Sequence, residues 1–165
     1  MIHLSASAAQ WFLPLVIPVA LWVSWSDLAL LKIPNRSVLA LIAVYAVVGL
    51  AALPGDQYLW QWLHLPVVLT IGFAINLGGL MGAGDAKFAA AAAPFVAAGD
   101  LPTALYLLAG VTLIALACHR AVRSIPLLRS PVGHWRSWHG AEFPMGVSLG
   151  ASLTLYLILA AFGDG

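Results

Sequence analysis

An all-α integral membrane protein with six transmembrane helices is the architecture that this chain predicts, on three observations. Its 165 residues are 62% hydrophobic and only 8% charged, whereas a soluble domain carries about a quarter charged residues. The apolar residues gather into six runs near the length that hydrocarbon demands, about 20 residues each. All 7 lysines and arginines fall in alternate connections between those runs.

The runs lie at 10–26, 37–53, 63–80, 86–99, 101–119 and 143–162. Only His3 precedes the first, in place of the basic stretch of a secretory signal, so that run is expected to remain as a span. Pro34 cannot prolong the first helix, and Asn35 or Ser37 is suited to cap the second, which predicts a tight hairpin. Asn76 in the third run is expected to face the bundle and hydrogen-bond another helix. The fourth run is the short one, alanine-rich and interrupted by Pro94.

Charge decides whether that fourth run crosses. With six crossings, Lys32, Arg36, Lys87, Arg120, Arg123, Arg129 and Arg136 share one side, and Asp56, Asp100 and Asp164 take the other. Without it the four later arginines would oppose the two lysines. The bias of basic residues toward the cytoplasm then puts both termini on the non-cytoplasmic side. The tryptophans fit a pair of aromatic belts, Trp11, Trp60 and Trp62 at the outer boundary and Trp22, Trp25, Trp135 and Trp138 at the inner one. The loop from His119 to Glu142 reads either as a segment lying on anionic headgroups or as an ordinary basic loop. No soluble domain fits between the runs, so residues 1–165 are expected to form a single polytopic membrane domain.

Several function classes fall away. A formal charge of +1 offers little to nucleic acid. Cys118 is the sole cysteine, and His134 and His139 have no acid or thiol beside them, so neither a disulfide nor a metal centre is expected, and no cofactor is called for.

Two acids remain to be explained, because a carboxylate within hydrocarbon costs about 2.5–3.5 kcal/mol at a helix centre. Asp27 ends the first run, a few residues before Ile33-Pro34-Asn35. Asp85 closes Gly82-Ala83-Gly84-Asp85, two residues before Lys87, at the start of the fourth run, where the helix dipole favours a negative charge. Glycines here permit unusual backbone angles and the close approach of another backbone, and Gly78 and Gly79 extend that freedom backward. Each acid alone has a plainer reading, small-residue packing at 82–84 and pairing of Asp27 with Lys32 or Arg36. Lys87 either pairs with an aspartate or marks the inner boundary. Pro144 and Gly146 open the last run after Glu142, suited to bend or thin that helix beside the acids.

Together these pieces resemble the type IV prepilin peptidases, membrane aspartyl proteases with a Gly-x-Gly-Asp motif, and most of all their short form associated with tight-adherence (Flp-type) pili. The residues that carry the resemblance are Asp27 with Ile33, Pro34 and Asn35; Gly82, Gly84, Asp85 and Lys87; and Pro144 and Gly146 as a Pro-x-Gly element. It implies a multi-pass protein of the bacterial inner membrane whose Asp27 and Asp85 form a catalytic dyad. The substrate would be a prepilin or pseudopilin precursor, a short basic leader followed by a hydrophobic helix, cut at the cytoplasmic face. Longer members also N-methylate their product and carry a cysteine-rich insert; this chain has no such insert. Two other classes compete, a small proton-coupled transporter and a non-enzymatic scaffold of a pilus or secretion apparatus. Acids confined to one face argue against a relay across the bilayer.

Overall fold

A computed structural model describes residues 2–125, 132–140 and 142–163, and every described element is helical. The helices are α1 (Ala6–Leu30), α2 (Asn35–Ala52), α3 (Gly55–Trp62), α4 (His64–Leu77), α5 (Ala83–Ala92), α6 (Leu101–Ser124) and α7 (Met145–Phe162), with 3-10 turns at Ala93–Phe95, Ala98–Asp100 and Arg136–Trp138. Five helical stretches are long and apolar enough to cross a membrane: α1, α2, α3 joined to α4, α6 with its preceding turn, and α7. The fourth predicted run is divided instead. α5 has 10 residues, about 15 Å at 1.5 Å per residue, and Pro94 opens a 3-10 turn after it.

The first helix also runs longer than its composition suggests. It passes Asp27 and stops when Leu31 enters the left-handed region at φ 53°, its N–H bonded to the Asp27 carbonyl. A non-glycine residue there costs about 1–2 kcal/mol. The turn is held by Ser26 Oγ, which donates to the Lys32 carbonyl at 2.9 Å. The cap of α2 differs from expectation too. Pro34 takes the capping position, Asn35 is the first helical residue, and Ser37 Oγ donates back to the Pro34 carbonyl.

α1 and α7 form the central antiparallel pair, flanked by α2 beside α1 and α6 beside α7, with α4 packed on α5. Antiparallel placement is visible at both ends: Gln10 Nε2 donates to the Ala161 carbonyl, and Asp27 meets Gly146. Lipid tails are as apolar as leucine, so close backbone approach does much of the work of helix association. At Gly150 an added Cβ would lie 3.1 Å from the Ala20 carbonyl oxygen, and at Gly72 one would lie 2.9 Å from Ala86 Cβ. Toward the start of α1 the packing is aromatic. Phe12 meets Phe95 edge-on at 4.9 Å and stacks on Tyr45 at 5.9 Å.

The start of the chain is tied down by Asp100. This buried carboxylate accepts from the backbone N–H groups of His3 and Leu4 and from the Tyr156 hydroxyl, with His3 Nδ1 2.7 Å away. Asp100 therefore does more than mark a loop. Not every tryptophan belongs to a belt: Trp11, Trp25 and Trp60 are exposed, but Trp62 packs edge-on against Tyr45 and Trp138 is buried on His119. The described part of the fifth loop folds back on the bundle, with Arg123 donating to the Gly140 carbonyl at 2.7 Å. Pro126, Leu127, Leu128, Arg129 and Asp164 lie outside the described residues.

Candidate functional site

Each of the two acids meets the first turn of a helix, Asp85 that of its own α5 and Asp27 that of α7. Gly82 caps α5 and Asp85 occupies its third position, from which the side chain reaches back to the Gly82 backbone N–H. This is the acidic half of a capping box. It explains the glycine better than backbone freedom does, since Gly82 has an ordinary extended conformation, φ −67°. A Cβ there would stand 2.6 Å from Asp85 Oδ2. Gly84 is helical, and its bare face lets the turn after α1 approach, with Ile33 Cβ 3.3 Å from where its own Cβ would be. Among the described glycines only Gly79 takes a positive φ, +72°.

Asp27 lies in the last turn of α1 and is buried. Its Oδ2 accepts from the Gly146 N–H at 2.7 Å, at the start of α7. The first N–H groups of any helix lack partners inside it and carry the positive end of its dipole. Pro144 caps α7, and the missing side chain at Gly146 makes the approach possible: a Cβ would lie 3.0 Å from both Asp27 Cβ and Oδ2. Proline and glycine thus seat the helix on Asp27 rather than bend it.

Both aspartates line one cavity of about 630 Å³. Its other walls are Leu31, the 79–82 loop with Asn76 behind it, Glu142 and Phe143 ahead of α7, and Met145 at its start. Asn76 serves that loop, donating to the Met81 carbonyl at 2.7 Å, instead of bridging to another helix. A smaller cavity of about 310 Å³ also borders the pair, lined by both acids, Lys32, Ile33 and the 82–84 backbone. Asp85 is half-buried and Asp27 buried, and both border the same two cavities. Two carboxyls that resist joint ionisation share a proton, and such a pair can activate water against an amide carbonyl.

The remaining motif residues act at the margin. Lys87 is exposed and donates to Asn35 Oδ1 at 3.4 Å, linking α5 to the start of α2, and makes no ion pair with either aspartate. Glu142, Phe143 and Leu31 were not singled out as site residues by sequence, although Glu142 stands directly before the Phe143-Pro144 pair that introduces α7.

A family model described as the type IV leader peptidase family matches residues 15–118, which include both aspartates. Pro144 and Gly146 lie beyond the matched segment. No curated protein and no solved structure matches the chain.

Proposed function

The chain belongs to the type IV leader peptidase family, a membrane peptidase acting on a peptide substrate, and on that premise we propose that it removes the leader of prepilin-like, Flp-type precursors at the cytoplasmic face of the bacterial inner membrane. Asp27 and Asp85 are the catalytic pair in this reading. The observation that carries it is their convergence on one cavity from helix ends far apart in sequence.

The division of labour follows from their surroundings. Asp27, whose Oδ2 accepts from an N–H at the positive end of α7, is favoured as the carboxylate, so Asp85 holds the shared proton and donates a hydrogen bond to the scissile carbonyl. Asp27, oriented by Gly146, takes a proton from the attacking water. The proton then passes to the leaving amine as the tetrahedral intermediate collapses. Gly82, Gly84 and Gly146 support the pair by letting backbone and carboxylates approach, while Pro34, Asn35, Lys87 and Pro144 hold the turns that carry them. No cofactor is required for this chemistry, and without the cysteine-rich insert the product would leave with an unmethylated N-terminus.

The topology proposed with it has six crossings in a single domain and both termini outside. α5 and the two 3-10 turns after it form the fourth, short crossing, shielded by α4. Supporting this is the confinement of all 7 basic residues to alternate connections, which six crossings would bring to one side. A proton-transport reading is less well supported, because the Phe12, Tyr45 and Phe95 cluster separates Asp100 from the pair along α1.

The test is leader removal from a co-expressed precursor by Asp27→Asn, Asp85→Asn and the double variant. Each single change should abolish cleavage, and the double should lose little more, since groups acting as a unit are strongly non-additive. Asp56→Asn is the suitable control, being exposed in α3; Asp100 is a structural anchor and Glu142 lines the cavity. Normal processing by a well-expressed Asp85→Asn protein would sink the peptidase assignment and favour the scaffold.

A further inference from the structure

The two cavities that border the aspartate pair differ in charge. The larger one is walled by a third carboxylate, Glu142, and among the described residues no lysine or arginine lines it. The smaller one carries Lys32. A cationic side chain is therefore drawn toward the larger cavity and repelled from the smaller, since charges this near one another are only partly screened by salt.

Glu142 is also held in place. The next residue, Phe143, lines the same cavity and packs edge-on against His119 of α6 at 5.9 Å. His119 in turn stacks on Trp138 at 4.7 Å and 15°, and the Trp138 indole N–H donates to the Val132 carbonyl at 2.9 Å. Arg123 fixes the Gly140 carbonyl two residues before Glu142. The segment ahead of α7 is thus pinned to α6 by an aromatic stack and one charged hydrogen bond. His119 Nε2 is buried without a partner, so the ring contributes its face here more than its nitrogens.

The geometry points to Glu142 as the specificity residue that receives a lysine or arginine of the bound peptide, seating the cationic part of the substrate in the larger cavity, with His119 as the positioning residue that holds the Glu142–Phe143 wall through its stack. This rests on the peptidase reading above, and adds to it the direction in which the peptide lies and the residue that sets it.

The test uses the full-length protein in lipid nanodiscs with two synthetic precursor peptides, one with lysines in its leader and one with glutamines in their place. For the lysine peptide, Glu142→Gln should raise KM about five- to tenfold while kcat stays within about twofold, the range of one partly exposed charged contact. For the glutamine peptide KM should not move. Glu142→Lys should restore tight binding to a peptide with glutamates at the same positions. His119→Ala should reproduce the KM effect, and His119→Phe, which keeps a flat ring for the stack, should not. Equal effects of Glu142→Gln on both peptides, or none on either, would overturn the inference. Binding of the same peptides is also measured on the Asp85→Asn protein, where nothing need be cut. Loss of lysine preference with Glu142→Gln there upholds the role of Glu142 whatever becomes of the peptidase reading, and retained preference rejects it alone.

Discussion

The backbone N–H of Gly146 donates to Asp27 Oδ2 at 2.7 Å, joining residues 119 positions apart. Asp27 sits at the end of one helix and Gly146 at the start of its antiparallel neighbour, so the carboxylate of α1 serves as an anionic partner for the first turn of α7. The bond both satisfies an otherwise free helical donor and aims the carboxylate toward the cavity.

Adding one methyl group at the glycines beside the pair should therefore cost activity before it costs folding. Gly146→Ala places a Cβ 3.0 Å from Asp27 Oδ2, and Gly82→Ala places one 2.6 Å from Asp85 Oδ2. Either carboxylate must shift, and displacement of a reacting group by about 1 Å lowers rates by about 100-fold. Leader cleavage, normalised to protein in the membrane, should fall by that order in both variants. Gly55→Ala, where a Cβ meets nothing within 4 Å, should cleave normally.

Asp100 should behave as an anchor. Asp100→Ala leaves the His3 and Leu4 N–H groups and the Tyr156 hydroxyl without their acceptor. Each buried group left unpaired costs about 1–3 kcal/mol, so thermal stability should fall by on the order of 2–4 kcal/mol. The pair of aspartates lies near the other end of α1, and cleavage at low temperature should persist. Abolished cleavage in a protein of normal stability would contradict this assignment.

Reporter fusions test the proposed topology. Fusions after Asp56 and Asp100 should report the outside, and fusions near Lys32, Lys87 and Arg129 the cytoplasm. A cytoplasmic signal after Asp100 would mean that α5 and its following turns do not cross, and would separate the later arginines from the face that holds Lys32.

By itself the sequence determined the membrane character of the chain, the helical class and the two acids that the structure brings to one cavity. These are local properties: apolar runs, a proline or glycine where a helix must start or stop, and a glycine three residues before an aspartate that caps its own helix. Helix ends were less legible, because α1 stops at a left-handed Leu31 held by Ser26 and Lys32, which composition does not signal. Only the tertiary structure decided that Gly146 would touch Asp27, that Glu142 and Phe143 would wall the cavity, that Trp138 would leave the belt for His119, and that Asp100 would hold the start of the chain. Those contacts join residues from about 20 to more than 100 positions apart. They depend on which helix faces pack and at what height along one another, and no local pattern of residue types encodes either quantity.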